Sequence, residues 1–152
     1  MSDYFKEIIS QSKQAARAMT KLSAEDRSKI LMNISGFLLT HKDDILKANQ
    51  IDVDRAKSNN LSEPMINRLI LTSEKIDHLS RDVEKIAQMP DPLNQELEIW
   101  DNPSNGLRFS KVSVAIGVIG IIYESRPNVT ADVSALCIKA GNAVILKGGS
   151  EA

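Results

Sequence analysis

Residues 112–152 read VSVAIGVIGIIYESRPNVTADVSALCIKAGNAVILKGGSEA, and their reading decides the fold. The run from Val114 to Tyr123 is almost wholly apolar, interrupted only by Gly117 and Gly120. A short Val- and Ile-rich run of this kind predicts a strand buried on both faces, as in a parallel sheet. At Glu124-Ser125-Arg126-Pro127-Asn128 the chemistry turns polar. Pro127 suits the first turn of a helix, where its missing N–H has no partner to lose. Val129, Val133, Leu136, Cys137 and Ala140 then recur at helical spacing and predict one apolar face. Gly141-Asn142 predicts the stop, because glycine takes the left-handed conformation that closes a helix end. Ala143 to Leu146 is a second apolar strand, and Lys147-Gly148-Gly149-Ser150-Glu151 leaves its carboxyl end. Strand, helix, strand makes a βαβ unit, and α/β folds place their ligands in the loops at the carboxyl ends of parallel strands.

Toward the amino terminus the period changes. Leu97 and Ile99, then Leu107 and Phe109, flank the turn residues Asn102-Pro103-Ser104-Asn105-Gly106. Asn-Gly tolerates positive φ at both positions and predicts a hairpin over residues 96–115. That is more chain than a connection needs, which suggests an arm reaching another subunit. Residues 1–90 predict a layer of five helices, ended by Pro90 and Pro92. Phe5, Ile8, Ile9, Ala16 and Met19 mark the first. Ser23-Ala24-Glu25-Asp26 resembles a capping box and opens the second, with Ile30, Leu31, Ile34, Phe37 and Leu38 as its apolar face. Ile45, Leu46, Val53 and Ala56 carry a third down to Ser58-Asn59-Asn60. Ser62-Glu63-Pro64 and Thr72-Ser73-Glu74 start the fourth and fifth. The expected class is α/β: a helical layer, a hairpin arm, and the first βαβ unit of a Rossmann-like domain.

A chain of 152 residues, 42% hydrophobic and 26% charged, is one ordinary soluble domain's worth. A net charge of -1 and 4% aromatic content give no case for nucleic acid or an anionic membrane surface. The single cysteine precludes an internal disulfide framework, no apolar run is long enough to span a bilayer, and MSDYFKE is not a signal peptide. These features predict a cytoplasmic protein. Two strands alone would leave bare edges and wide apolar faces, so the expectation is the front portion of a longer protein.

The polar turns carry the chemistry. Asn128, in the first helical turn, either stabilises a developing oxyanion through its amide N–H or satisfies the helix start. Arg126 and Glu124 at the same strand end either grip a carboxylate or phosphate of a substrate, or brace the turn as an ion pair. Lys147 beside two glycines suits a ribose or phosphate, although neither of the two best-known nucleotide-binding glycine patterns is present. Glu151 either accepts from a ribose hydroxyl or caps a following helix. Cys137 lies on the apolar helix face and reads as a buried small hydrophobe rather than a nucleophile. His41 and His78 lack metal-ligand spacing, and no metal is expected.

The strings YESRPNVT (123–130) and GNAVILKGGSEA (141–152) closely resemble the γ-glutamyl phosphate reductase family within the aldehyde dehydrogenase superfamily. NNLSEPMINRLILTSEKI (59–76) and Met89-Pro90-Asp91-Pro92 resemble the same family, so the likeness covers essentially the whole chain. The resemblance implies NADPH-dependent reduction of L-glutamyl 5-phosphate to glutamate 5-semialdehyde, with release of phosphate, in proline biosynthesis. It implies a cysteine thiolate that attacks the acyl phosphate, in a later segment that Cys137 does not occupy. It also implies Asn128 as the oxyanion holder, with Lys147, Ser150 and Glu151 toward NADP; Gly148-Gly149 here replaces the superfamily's lone proline. A homo-oligomer is implied through the hairpin, and glutamate 5-kinase is a candidate partner. Met1-Ser2-Asp3 reads as a natural start, which argues against a kinase fused upstream. The alternative is a non-catalytic binding or assembly module.

Overall fold

The computed structural model describes residues 3–149, so Ser150 and Glu151 lie outside the described residues. Five helices come first: α1 (Asp3–Met19), α2 (Ala24–Thr40), α3 (Lys42–Ser58), α4 (Glu63–Leu69) and α5 (Ser73–Gln88). The hairpin β1 (Glu96–Asp101) and β2 (Arg108–Val112) follows, and then β3 (Val118–Ile122), α6 (Pro127–Lys139) and β4 (Ala143–Lys147). The expected α/β order is therefore present. β3 and β4 pair in parallel, with Val118 opposite Ala143 and Ile122 opposite Lys147, and α6 is their crossover. Helices α1 and α6 both pack on this strand pair.

Local signals set several of these boundaries. Ser23 and Asp26 make the reciprocal capping box at the start of α2, and the Thr72 hydroxyl accepts from the Lys75 N–H at the start of α5. Gly141 stands at φ +70° between α6 and β4, where the chain must reverse within a few residues. At Asn102–Gly106 the hairpin turns with Gly106 at φ +70°. β1 and β2 are antiparallel, with a bulge between Glu96 and Glu98.

Four expectations are corrected. The apolar run contributes a strand only from Val118, because Gly117 at φ +119° gives its N–H to the Asn142 side chain (2.8 Å) instead of a ladder. The second hairpin strand ends at Val112, not residue 115; beyond it Ser113 still exchanges backbone hydrogen bonds with Asn94 and Gln95. β3 is not buried on both faces: α1 and α6 pack on the strand pair but leave it partly open, and Ile122 at the strand end is 84% exposed. Phe37 and Leu136 point away from the core, Phe37 lying against His41 with ring centroids 5.5 Å apart.

The main core gathers Leu31 of α2, Val83, Ile86 and Ala87 of α5, and Ala135 of α6, with Ile34, Leu38 and Ile138 around them. Burying each large aliphatic side chain there contributes about 1.5–3 kcal/mol. A second cluster joins Val53 and Ala56 of α3 to Leu69 of α4. Two buried cations then brace this packing, Arg27 within the helical layer and Lys139 between that layer and α6. Arg27 Nη2 donates to both carboxylate oxygens of Asp91, each at 2.7 Å, and its Nη1 donates to the Leu22 carbonyl at 2.6 Å. Lys139, near the end of α6, donates to the Ala87 carbonyl (2.7 Å) and the Ser28 hydroxyl (3.1 Å). A lysine on a carbonyl at the end of α5 sits where the helix dipole is negative.

Candidate functional site

Parallel pairing of β3 with β4 brings two polar turns to one sheet edge. Ile122 lies opposite Lys147, and the Tyr123 N–H donates to the Lys147 carbonyl at 3.1 Å. The Glu124–Arg126 turn and the Gly148-Gly149 turn therefore leave the sheet side by side. Tyr123 bridges the first turn, its hydroxyl hydrogen-bonded to that of Thr130, while its ring lies over Gly148. Ser125, buried and at φ +43°, makes the sharp bend that turns the strand into the helix. A non-glycine residue in that conformation is strained by about 1–2 kcal/mol, and such residues cluster at functional turns.

Two open clefts flank the bend. The larger, about 530 Å³, is lined by Ile121, Ile122, Tyr123, Glu124, Arg126 and Val129 together with Arg68. Its neighbour, about 490 Å³, lies between the helical layer and the first turns of α6. Asn128 and Asp132 of α6 form one wall of it, and Lys75, His78 and Asp82 of α5 another. Arg68 of α4 borders both clefts. The corner that carries Arg68 is held by Asn49, whose amide donates to the Leu69 carbonyl (2.9 Å) and accepts from the Leu71 N–H (2.7 Å).

The expected site residues are thus divided. Glu124 and Arg126 share one cleft, and no ion pair joins them among the described residues, so the bracing role is not realised. Asn128 lines the other cleft and donates to Asp132 Oδ2 at 3.0 Å, one turn along the same helix face. That contact orients the amide near the helix N-terminus, where unpaired N–H groups and the helix dipole favour negative charge. Lys147 lines neither cleft; it is exposed at the strand end and donates to the Gly148 carbonyl at 2.6 Å. Cys137 is 5% exposed, and burial pushes its thiol above the ordinary value, away from the reactive thiolate. Arg68, Asp132 and Tyr123 escaped the sequence reading. Asp132 carried a signal, standing one helical turn after Asn128, whereas Arg68 reaches the site only through tertiary packing.

The chain is 43% identical over 142 residues to the γ-glutamyl phosphate reductase of Thermodesulfovibrio yellowstonii, covering 93% of this chain and 34% of that protein. It is 47% identical over 140 residues to that of Caldanaerobacter subterraneus, covering 92% of this chain and again 34% of the relative. The chain therefore spans about a third of the length of these relatives. The crystal structure of the Thermotoga maritima γ-glutamyl phosphate reductase superposes with a TM-score of 0.93 at 34% identity, over 98% of this chain and 36% of that one. An aldehyde dehydrogenase structure from Listeria monocytogenes, 14% identical, shares the fold with a TM-score of 0.66 over 96% of this chain and 29% of that one. The model of the aldehyde dehydrogenase family matches residues 2–152, and the chain belongs to that family.

Proposed function

We propose that this chain supplies the oxyanion-binding and adenosine-side residues of a γ-glutamyl phosphate reductase, which reduces L-glutamyl 5-phosphate to glutamate 5-semialdehyde and releases phosphate. The observation that carries the reading is the parallel β3–β4 pair, which sets YESRPN and KGG side by side at one strand edge. NADPH supplies the hydride when bound. The residues present fit that group: Lys147 is exposed at the end of β4, and the glycine turn beside it adds no side chain of its own next to the Tyr123 ring. Lys147 would hold the adenosine ribose, with Ser150 and Glu151, next in the sequence, as further residues toward the cofactor. Asn128 holds the carbonyl oxygen of the substrate as it gains negative charge, which favours attack at the acyl carbon. Arg126 and Glu124 face the acyl phosphate end, the guanidinium taking a phosphate oxygen in its fork. With Cys137 buried and its thiol weakly acidic, the attacking thiolate comes from outside residues 1–152. The hairpin serves as an arm between subunits of a homo-oligomer, and the fold around the site is Rossmann-like.

The test is phosphate-dependent reduction of NADP by glutamate 5-semialdehyde, run on this chain and on the complete product of its reading frame. Activity in the longer product alone is expected. Replacing Asn128 with Ala there should lower kcat about 10²–10³-fold, as loss of one oxyanion donor does elsewhere. Silence from the longer product would defeat the catalytic reading and favour an assembly module.

A further inference from the structure

The cleft between the helical layer and α6 has more recognition chemistry than holding an oxyanion requires. Asn128 and Asp132 stand one turn apart on the same face of α6, which places their Cβ atoms roughly 5–6 Å apart. Asp82, on the opposite wall, is already engaged by Lys85 at 2.8 Å. Among the described residues Asp132 has no cationic partner; its one hydrogen bond is the 3.0 Å contact from Asn128 to Oδ2, which leaves Oδ1 to accept from a ligand. Arg68, exposed on the rim, has no carboxylate partner among the described residues either. An acid and a forked cation thus border one cavity of about 490 Å³, each without a counter-ion of its own.

We propose that this cleft recognises the α-amino-acid head of the substrate, with Asp132 binding the α-ammonium and Arg68 the α-carboxylate. The inference rests on the reductase reading above. It follows from reach: four bonds separate the acyl carbon of a glutamyl group from its α-nitrogen, a span that matches one helical turn. With the carbonyl oxygen on Asn128, the ammonium arrives at Asp132. Arg68 closes over the carboxylate from α4, in the bidentate geometry that guanidinium groups favour. A plain aldehyde or acyl phosphate satisfies neither charge and leaves both ends of the cleft unpaired, which disfavours it. Asp132 thereby has two duties, orienting the Asn128 amide and selecting an amino acid.

The experiment compares kcat/KM of the complete protein for glutamate 5-semialdehyde and for 5-oxopentanoate, which lacks the α-amino group. It is run on the wild type and on Asp132→Asn. The variant should lose about 10–100-fold more on the amino aldehyde than on its analogue, the range expected for a hydrogen bond to a charged group. A role confined to orienting Asn128 lowers both aldehydes alike, and that outcome overturns the assignment. Arg68→Gln, at an exposed position, provides a second arm against 4-aminobutanal, which lacks the α-carboxylate; equal losses on both aldehydes overturn the assignment of Arg68. A wild type that oxidises none of the three defeats the reductase reading itself. A wild type active on glutamate 5-semialdehyde with unchanged ratios in the variants defeats only the head-group inference.

Discussion

At the scale of single residues, the Asp91 carboxylate ties the loop after α5 to Arg27 of α2. Burial pushes its carboxyl up, but the Leu93 N–H at 3.1 Å and the Arg27 guanidinium pull it down further, so its pKa is lowered on balance. A carboxylate with a depressed folded pKa contributes stability that is complete above its unfolded value of about 3.9 and is lost as pH falls through the folded value. The native chain should therefore lose part of its stability between neutral pH and pH about 3 through this group. Asp91→Asn should cost roughly 2–3 kcal/mol at pH 7, because Arg27 stays buried without its charge partner. It should also flatten the acid limb. Urea midpoints of both proteins at the two pH values check this; an unchanged acid limb would mean the pair does not titrate with folding.

At the scale of elements, the α6-to-β4 junction decides whether the two polar turns meet at all. Asn142 ties the end of α6 to the start of β3: its N–H reaches the Cys137 carbonyl (2.8 Å), its amide donates to the Ala140 carbonyl (3.1 Å), and its Oδ1 accepts from the Gly117 N–H. Gly141 beside it has φ +70°, and a Cβ there would lie 2.6 Å from Leu93 Cδ1. Leu93 can swing its side-chain end aside, but the backbone strain of a left-handed alanine remains. Gly141→Ala should destabilise by about 1–3 kcal/mol, read from thermal or urea unfolding. The βαβ order was legible in residues 112–152 because each signal is local: Pro127 at the first turn, Gly141 at the stop, apolar runs on either side. The start of β3 was not legible, since it depends on Asn142 taking the Gly117 N–H from 25 residues away.

At the scale of the molecule, the hairpin stands apart from the core. All eleven residues of its two strands are exposed, including Leu97, Ile99, Phe109 and Val112. Trp100, the chain's one tryptophan, stacks on Phe109 at 5.4 Å between centroids and 12° between planes. So much apolar surface on a free ribbon needs a cover. If the arm joins subunits, Trp100 emission should move to shorter wavelength as protein concentration rises, and Trp100→Ser should shift sedimentation toward the lighter species. Emission and sedimentation both independent of concentration would refute the arm. Among the described residues, no helix is long and apolar enough to cross a membrane.

The sequence by itself determined which segments become helices and strands, and that Asn128, Arg126 and Lys147 fall at strand ends. Those outcomes follow from short-range chemistry: backbone preferences, capping, and the period of apolar residues. Tertiary structure alone decided that Asn128 and Arg126 open into different clefts, that Arg68 borders both, and that Lys147 stands outside either. It also decided which predicted apolar residues face the core, since Leu136 and Phe37 share their helices' apolar spacing yet remain exposed. The physical reason is that a cleft is a relation between elements distant in sequence. Its walls are set by how α2 and α5 pack against α6 through Leu31, Val83 and Ala135, and by the buried Lys139 contacts that hold the end of α6 on α2 and α5.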